Sequence, residues 1–502
     1  MATLSLAVIL AENARRRPEK TALIEGERRL TFAEVWRQAL AQAGALAGLG
    51  VAPGDRIALM APNTAEFPLA YYAVAAAGGV VVPVHLLLSA PEVEHVLRDS
   101  GATLLLVHPA QAETGRAAAE ATGVRVVTLG EEFDKLAANA EPLRSYVTRA
   151  ADDPAVVFYT SGTTGVPKGA VLSHFNLVMN ATVNAFDAND IRPDDIALGA
   201  LPLFHAFGQT VSMNSTWRAG ATLVLLPRFD AARAIELMVA EKVNTFHGVP
   251  TMFVSLAAAA AAAPALPELR VCISGGASLP VAVLERFEAA FGARIYEGYG
   301  LSETSPTATV NQPCFGTKAG TIGHPLWGVD VEIARAEVEG RVELLPPGEL
   351  GEVVIRGHNV FSGYLGRPEA TAQAVVDGWF RTGDLGTKDE DGFLRIVDRK
   401  KDVIIRGGYN VYPREVEEVL MRHPGIAQVA VIGLPDELHG EEVCAVVVPA
   451  PGASRDAAAL TAWSKEHLGR HKYPRRVEFA DTLPLGPSMK VLKRELRTQY
   501  AG

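Results

Sequence analysis

A segment rich in glycine and hydroxyl side chains, residues 159–169, holds the clearest chemical signal in the sequence. It reads YTSGTTGVPKG and includes the cation Lys168. A loop of this composition can turn its backbone N–H groups inward around an anion, while the hydroxyls and the lysine add donors. The expected guest is therefore a polyphosphate. The Walker A spacing, GxxxxGK[ST], does not fit the segment, and an ordinary flexible turn stays open as the alternative at this point.

Two further segments carry side chains suited to a nucleotide. In YEGYGLSET, residues 296–304, Tyr299 offers an aromatic ring, Ser302 a hydroxyl for a phosphate, and Glu303 a carboxylate for Mg²⁺. Magnesium is usually held by one or two carboxylates together with phosphate oxygens, so one acid beside a phosphate loop fits it. In VCISGGA, residues 271–277, glycines follow an apolar run, and glycine lets a backbone approach a flat ligand closely. An ordinary strand-to-helix turn is the alternative for this last segment.

Together these segments resemble the adenylate-forming superfamily, which includes acyl-CoA synthetases, aryl-CoA ligases, luciferases and peptide-synthetase adenylation domains. The family usually has threonine at the position of Ser302, and serine keeps the hydroxyl. The resemblance implies catalytic roles for Lys168 and Glu303, with Mg²⁺ at Glu303. It also implies that ATP and AMP bind at residues of all three segments, namely Thr160, Ser161, Gly162, Thr163, Thr164, Gly165, Gly275, Gly276, Ala277, Glu297, Gly298, Tyr299 and Ser302.

The same resemblance places a carboxylic acid between LPLFHAFG, residues 201–208, and HGVPTMF, residues 247–253. On composition alone, a lone histidine among apolar residues is more often part of the core than a functional group, so His205 keeps that alternative. The residues that the family implies for the acid site are His205, Phe207, Gly208, Val249 and Gly300, and the resemblance also implies a catalytic role for His205.

The composition of these two walls limits the acid. Residues 201–216 and 247–256 contain no Asp, Glu, Lys or Arg. A second charge on the acid would be buried without a partner, which is unfavourable. We therefore expect a neutral, apolar tail, as in a medium or long fatty acid, an aryl acid or a terpenoid-like acid. A malonate-type diacid is disfavoured unless Arg218 or Arg228 turns inward.

The C-terminal part carries motifs that match the family's domain junction. The run DRKKD, residues 398–402, can be an ordinary solvated turn, but it precedes an apolar strand and two glycines. The resemblance implies a large domain, 1–398, a hinge, 399–401, centred on Lys401, and a small lid domain, 402–502. It further implies that Asp384 and Arg399 hold the ribose, that Asn410 reaches the acid and AMP, and that Gly407, Gly408 and Tyr409 line the path of coenzyme A.

Lys490, in PLGPSMKVLKREL, aligns with the catalytic lysine of the superfamily. The family commonly has Thr-Gly before this lysine, whereas this chain has Ser488-Met489. Glycine adopts a positive φ without strain and methionine does not. Three interpretations stay open: another backbone path for the loop, slow or tuned adenylation, or a plain surface lysine.

The implied reaction has two steps. The acid attacks the α-phosphate of ATP, which releases pyrophosphate and gives an acyl-adenylate, and catalysis of such a step is mainly positioning and charge neutralisation. A thiol, expected to be that of coenzyme A, then displaces AMP after the small domain swings about the hinge. Two alternatives stay open: transfer to the phosphopantetheine of a carrier protein, and a non-catalytic adenylate-binding homologue.

Sequence periodicity predicts the elements that must position these residues. Apolar runs alternate with amphipathic helical patterns, which is typical of α/β layers with mostly parallel strands. The expected fold is α/β: a large N-terminal domain of stacked, mostly parallel sheets with helices and a small β-barrel at 320–398, and a small, mobile α+β C-terminal domain. The predicted helices are 31–46, 66–77, 91–99 and 415–421, with a helix end in the alanine run 257–263. The predicted strands are 56–60, 80–84, 103–108, 155–159, 271–274, 403–405, 426–433 and 442–449.

Length and composition exclude several classes of protein. A chain of 502 residues is too long for a single core. The formal net charge of −10 argues against a nucleic-acid partner, which needs a basic surface. Three widely spaced cysteines fit neither a disulfide framework nor a zinc site, so a reducing cytosol is the simplest compartment.

Membrane and secretion signals are weak. The N-terminal segment has no basic residue before its apolar run and is typical of an amphipathic helix rather than of a secretory signal. Residues 67–84 are uncharged and long enough to span a bilayer. Pro68, the pair Gly78-Gly79 and Pro83 interrupt them, however, and would expose backbone groups to lipid. The sequence does not decide between a monomer and a homodimer.

Overall fold

A computed structural model describes residues 2–160, 167–486 and 491–501. The strands of its first sheet are short apolar runs, as strands covered on both faces require. They pair in parallel at the centre of the sheet, while Lys168–Ser173 runs antiparallel to Pro154–Thr160. The order across this sheet is Gly363–Tyr364, Lys168–Ser173, Pro154–Thr160, Val80–Pro83, Arg56–Met60, Leu104–Val107 and Arg125–Thr128.

The second sheet is parallel at its centre and antiparallel at both edges. Its central strands end on the side where the glycine-rich segment 275–277 begins, and the carboxyl ends of parallel strands are the usual place for ligands in open α/β sheets. The order is His324–Pro325, Thr307–Val310, Ile295–Gly300, Val271–Ser274, Thr245–Gly248, Ile196–Gly199, Thr222–Leu225, Thr21–Glu25 and Arg28–Thr31.

Helices connect and cover these strands. Several begin at a residue whose side chain caps the first turn: Thr31 Oγ1 accepts from Glu34 N at 3.2 Å, and Glu34 Oε2 accepts from Thr31 N at 2.8 Å. The α-helices of the N-terminal region are Val8–Arg16, Phe32–Gly48, Glu66–Ala76, Ala90–Ser100, Ala112–Thr122, Glu131–Asn139, His174–Val183, Ser215–Ala219, Ala231–Ala240, Pro250–Ala260, Val281–Phe291 and Pro368–Ala374. Two π-helical segments, Asn184–Ala188 and Phe207–Asn214, and two 3₁₀ turns, Pro109–Gln111 and Ser302–Thr304, complete the described set.

The long uncharged segment 67–84 is a core element. It forms the helix Glu66–Ala76, a turn at Gly78 with φ of +77°, and the strand Val80–Pro83. Every residue from Phe67 to Ala76 is buried, which is typical of a helix that is hydrophobic on all sides and packed inside a large protein. Over the described ranges, no helix combines the length and the hydropathy that a membrane span needs.

Two smaller sheets follow along the chain. The first, which corresponds to the predicted β-barrel region, is antiparallel and consists of Val329–Ala334, Gly351–Gly357, Trp379–Lys388, Val375–Val376 and Leu394–Arg399. The second forms the C-terminal lobe from Tyr409–Val411, Ile404–Arg406, Gly440–Pro449, Ile426–Asp436 and Arg476–Phe479, with the helices Pro413–Leu420, Ala457–His467 and Lys493–Tyr500. The chain passes from one sheet to the other between Arg399 and Ile404. The predicted boundary at 399–401 coincides with this passage, and its role as a hinge stays a prediction.

The α/β fold class and the predicted elements agree with the structure, with shifts of one to three residues at most ends. The alanine run shows the one notable difference in helix ends: the helix Pro250–Ala260 stops three residues before Ala263. Ala262 N and Ala263 N instead bond to carbonyls three residues earlier. Pro264 explains this, because a proline disfavours helical backbone at the residue before it. Cys272, Cys314 and Cys444 are free thiols, as their number and spacing predict.

Gly44 and Gly48 lie on the same helix and provide a matched stability test. A Cβ at Gly44 would collide with the backbone carbonyl of Glu141, whereas a Cβ at Gly48 has open space around it. We expect Gly44→Ala to lower the melting temperature, because overpacking typically costs about 1–3 kcal/mol. We expect Gly48→Ala to leave it unchanged or raise it, because alanine gains about 0.5–1 kcal/mol over glycine within a helix. Scanning calorimetry of both variants checks this, and equal shifts would contradict it.

Candidate active site

The two strands that flank the phosphate-loop segment form a hairpin stem. Thr160 lies opposite Lys168 and Tyr159 lies opposite Gly169 in the antiparallel pair. The stem thus brings both ends of the segment to one edge of the first sheet. The predicted phosphate ligands Ser161, Gly162, Thr163, Thr164 and Gly165 lie outside the described residues.

Next to this stem, Tyr364 connects two of the predicted catalytic residues. Its Oη donates a hydrogen bond to Glu303 Oε1 at 2.9 Å, and the Lys168 ammonium lies 5.4 Å from the centroid of its ring, a cation–π distance. Burial and the Glu303 carboxylate raise the pKa of Tyr364, so its hydroxyl stays protonated and donates. The strand Gly363–Tyr364 is added to the edge of Lys168–Ser173, with Tyr364 opposite Ala170. Lys168 and Glu303 therefore contact the same tyrosine, one through its ring and the other through its hydroxyl.

Tyr364 is absent from the sequence predictions. The only local hint is an aromatic residue within the short run GYLG, which is too common a pattern to single out.

Ser302 and Glu303 lie on the 3₁₀ turn Ser302–Thr304, which follows the strand Ile295–Gly300. Phe361 N donates to the Glu303 carbonyl at 2.9 Å, which fixes this turn against the segment that leads to Tyr364.

A second cluster joins the predicted base-binding and ribose-binding residues. Tyr299 Oη donates to Asp384 Oδ2 at 2.6 Å, and Arg399 Nε lies 3.2 Å from Asp384 Oδ1. Asp384 and Arg399 face each other on adjacent antiparallel strands. Burial and the Asp384 carboxylate raise the pKa of Tyr299, which keeps the phenol protonated. The structure thus brings Tyr299, Asp384 and Arg399 together, as the prediction of a shared nucleoside site requires.

The predicted adenine turn and acid wall touch each other. Gly275 N donates to Gly248 O at 3.2 Å, and a Cβ at Gly275 would lie 3.1 Å from the ring of Phe207. Gly275 therefore allows the aromatic ring of the acid wall to pack on the turn that precedes Gly276 and Ala277. Gly298 and Gly300 lie in the last three residues of the neighbouring strand Ile295–Gly300, so they lie at the carboxyl ends of the strands of the second sheet, as Gly275 does.

The acid wall itself contains an unusual helix. His205 and Phe207 stand at the start of the π-helical segment Phe207–Asn214, and π-helical turns are frequent at functional sites. His205 Nδ1 accepts from Phe207 N at 3.4 Å, and the ring is only half-buried, which argues against the core-residue alternative. Gly208 packs on the Pro202 carbonyl, where any side chain would collide. Val249 is buried at the start of the second wall helix, Pro250–Ala260.

A second histidine of the acid walls, His247, is buried in the core. Its side chain is wholly buried, Nδ1 lies 3.2 Å from Ser212 Oγ of the π-helical segment, and burial lowers its pKa to about 4, so the ring is neutral. Its Nε2 has no hydrogen-bond partner among the residues that the structure describes. The sequence predictions included the segment HGVPTMF but did not assign a role to this histidine.

Glu297 differs in character from the other predicted nucleotide ligands. Its side chain is buried, and its Oε1 accepts from Leu279 N at 3.0 Å. Burial raises the pKa of Glu297 to about 7, and Arg414 from the C-terminal lobe opposes this shift. The described contact is structural, since it holds the segment that follows the glycine turn, and nucleotide binding by Glu297 stays a prediction.

The remaining C-terminal members of the predicted site that the structure describes lie on exposed segments. Gly407 and Gly408 form a tight turn with φ of +56° and +84°, and Gly407 N donates to His439 O at 2.8 Å. Tyr409, Asn410 and Lys401 are exposed. Lys490 and the preceding Ser488-Met489 lie outside the described residues. The roles of these residues in binding coenzyme A, in the hinge and in catalysis therefore stay predictions.

Comparison with known proteins decides the family. A family model described as AMP-binding enzyme matches residues 10–365, and a second, described as AMP-binding enzyme C-terminal domain, matches residues 415–490. The chain belongs to the adenylate-forming superfamily. It is 41% identical over 489 residues to a feruloyl-CoA synthase from an Amycolatopsis species, with 97% of each chain covered.

Two further comparisons widen the picture of this adenylate-forming enzyme. A fatty acid–acyl-carrier-protein ligase from Streptomyces coeruleorubidus is 37% identical over 501 residues, which cover 98% of this chain and 95% of that protein. The solved structure of a benzoate CoA ligase from Burkholderia xenovorans superimposes with a TM-score of 0.90 at 29% identity, with 98% of this chain and 99% of that chain covered. The protein is an AMP-forming acid–thiol ligase that uses ATP and coenzyme A, and the non-catalytic alternative is set aside.

The raised pKa of Glu297 predicts a specific pH dependence of stability. The usual value is 4.5 and the folded value is about 7, so the folded protein holds this proton more tightly than the unfolded chain does. Stability should therefore fall as the pH rises through this window, because the carboxylate must ionise while buried. Glu297→Gln stays neutral, so we expect its melting temperature to gain on the wild type between about pH 5 and pH 8.

Glu285 provides the control for this measurement. It lies exposed on the helix Val281–Phe291, next to the segment that Glu297 holds. The Glu285→Gln variant should follow the wild-type melting temperature at every pH. A Glu297→Gln curve parallel to that of the wild type would show that the buried carboxyl does not titrate in this range.

Proposed function

We propose that the acid is a monocarboxylic aromatic acid with an uncharged polar substituent, such as a hydroxylated arylacrylic acid. We further propose that Mg²⁺ binds at Glu303 and that the site residues act in the roles given above. The observation that carries the substrate proposal is a pair of walls without Asp, Glu, Lys or Arg, in which the neutral, buried imidazole of His247 has an Nε2 without a partner among the described residues.

The charges near the wall argue against a diacid. Arg218 donates from Nε to Thr182 Oγ1 at 2.9 Å, and its guanidinium lies 4.8 Å from the ring centroid of Phe186. Arg228 is exposed. Arg218 is thus held by Thr182 and Phe186, and Arg228 faces solvent. A second carboxylate on the acid would be buried without a partner, which is strongly unfavourable.

His247 supports a polar substituent on the ring. Its Nε2 is buried without a described partner, and an unsatisfied buried polar atom costs about 1–3 kcal/mol. A phenolic hydroxyl both donates and accepts, so it can pair with Nε2 in either tautomer of the imidazole. The feruloyl-CoA synthase relative supports the same class, because a feruloyl group is a hydroxylated arylacryloyl group.

The reaction would be supported by cations and by precise placement. Lys168 and Lys490 would balance the phosphate charges, Lys490 beside the attacking carboxylate, and Asp384 with Arg399 would hold the ribose. Glu303 fits Mg²⁺, since this cation takes one or two carboxylates together with phosphate oxygens, and Tyr364 orients that carboxylate by its hydrogen bond. When bound, Mg²⁺ would neutralise phosphate charge and align the pyrophosphate leaving group.

Transfer to a carrier protein is a second candidate for the final step. The fatty acid–acyl-carrier-protein ligase at 37% identity favours it, because coenzyme A and a carrier protein present the same phosphopantetheine thiol. Rates with free coenzyme A and with a loaded carrier protein, measured on the same acid, distinguish the two acceptors.

Acid-dependent pyrophosphate exchange tests the substrate proposal. We expect kcat/KM to be about tenfold higher for 4-hydroxycinnamate than for cinnamate, as one buried hydrogen bond would give. His247→Phe should abolish this ratio while it keeps activity with cinnamate. Dodecanoate and malonate complete the panel, and a preference for either of them would refute the proposal.

The hinge prediction is tested by separating the two half-reactions. We expect Lys401→Pro to leave acid-dependent pyrophosphate release within about threefold of the wild type and to reduce thioester formation by about a hundredfold, because only the second step needs the domain rotation. Lys490→Ala is the converse variant and should lose the first step. Equal losses of both steps in Lys401→Pro would show that residue 401 is not the hinge.

A further inference from the structure

The helix Ala90–Ser100 touches the phosphate-loop stem from outside the predicted site. Its residue Asp99 accepts a hydrogen bond from Tyr159 Oη at Oδ2, at 2.8 Å. Tyr159 lies next to the end of the strand Pro154–Thr160, just ahead of the phosphate-loop segment. Burial and the Asp99 carboxylate raise the pKa of Tyr159, so the phenol stays protonated and remains a donor. The Tyr159–Asp99 hydrogen bond therefore joins the strand Pro154–Thr160 to the helix Ala90–Ser100.

The other oxygen of Asp99 reaches the segment that carries Tyr364. Arg367 Nη2 lies 2.7 Å from Asp99 Oδ1, and the Asp99 side chain is only 13% exposed. Arg367 N in turn donates to Tyr364 O at 3.0 Å. Arg367 is therefore part of the same turn as Tyr364, whose hydroxyl contacts Glu303. One carboxylate thus connects the stem of the phosphate loop with the residue that orients the predicted metal ligand.

The same helix also reaches the far side of the loop. His95, one turn before Asp99, has its Nε2 3.4 Å from Pro167 O, and its ring lies edge-on to that of Tyr159 at 6.4 Å. The last two turns of the helix therefore contact both sides of the segment, at Tyr159 and at Pro167. Exposed ion pairs contribute little to stability, but a bidentate carboxylate that is largely buried fixes the relative position of the groups it joins.

We propose that Asp99 is a positioning residue for ATP, acting through Tyr159 on the phosphate loop and through Arg367 and Tyr364 on Glu303. It fixes Tyr159, at the end of the stem strand Pro154–Thr160, relative to the segment whose Tyr364 contacts Glu303, the carboxylate that would hold Mg²⁺. This inference rests on the proposed roles of these two elements. A displacement of about 1 Å in such a site can reduce the rate about a hundredfold. Because the link through Asp99 joins elements of the predicted triphosphate site, we expect its loss to weaken the binding of ATP more than the binding of the acid.

Kinetics of Asp99→Asn and Tyr159→Phe test the proposal. Both substitutions keep the size of the side chain; the first removes the charge that pairs with Arg367, and the second removes one hydrogen bond. In acid-dependent pyrophosphate exchange we expect KM for ATP and for pyrophosphate to rise about tenfold in Asp99→Asn and about threefold in Tyr159→Phe. KM for the acid should change less than twofold in both.

A second readout separates positioning from general damage to the fold. Thioester formation from a chemically synthesised acyl-adenylate and coenzyme A does not use the triphosphate site, so it should proceed at the wild-type rate in both variants. Arg98→Ala is the matched control, because Arg98 lies beside Asp99 on the same helix but pairs with Glu94 at the exposed surface. Its KM for ATP should equal that of the wild type.

The outcomes are distinct. An unchanged KM for ATP in Asp99→Asn overturns the proposal, and so does an equal loss in exchange and in thioester formation from the adenylate, which would indicate a structural role. A wild-type protein without acid-dependent exchange would instead refute the proposed function. Nonadditive effects of Tyr159→Phe and Arg367→Ala in the double variant would support one shared link through Asp99.

Discussion

The contact between Tyr364 and Glu303 is the constraint on which the rest of the site depends. A protein with a net charge of −10 must concentrate cations where a triphosphate binds. The predicted site also contains a buried acid, Glu303. Tyr364 contacts both groups, because its hydroxyl binds the Glu303 carboxylate and its ring faces the Lys168 ammonium.

The sheets explain why these groups can meet. The strand Gly363–Tyr364 adds to the open edge of the first sheet, beside the stem of the phosphate loop. Glu303 follows the strand Ile295–Gly300 of the second sheet. The predicted site therefore lies where two sheets approach, and backbone pairing rather than side-chain reach sets its geometry. The ribose cluster follows the same rule, since Asp384 and Arg399 face each other across one antiparallel pair.

Charged groups also surround the passage between the two lobes. Asp398 accepts from Arg399 N at 2.8 Å and from Arg414 N at 2.9 Å, so it contacts both sides of the predicted hinge. Arg497, on the last helix, pairs with Asp402 at 3.1 Å. The two Asp398 contacts are hydrogen bonds from backbone amides, and the third contact is an ion pair between the last helix and the residue after the predicted hinge. The hinge role of this passage stays a prediction.

The sequence by itself determined the family, the fold class, most helices and strands, and the segments predicted to form the site. These features depend on local pattern: apolar runs, helical periods, glycine turns, and motifs whose chemistry lies within a few residues. Through the resemblance to the family it also assigned Asp384 and Arg399 to one ribose site, and the structure pairs these two residues on adjacent strands. His205, by contrast, was weighed against a core alternative, and only its half-buried position argues against that alternative.

Only the tertiary structure decided the contacts between distant parts of the chain. Tyr364 and Glu303 are 61 residues apart, Tyr159 and Asp99 are 60 apart, and Arg367 and Asp99 are 268 apart. The tertiary structure also showed that the Glu297 carboxyl accepts a hydrogen bond from Leu279 N, and that the buried His247 lies beside Ser212. No local spacing encodes such pairs, because sheet order and strand register bring them together, and these follow from the packing of the whole chain.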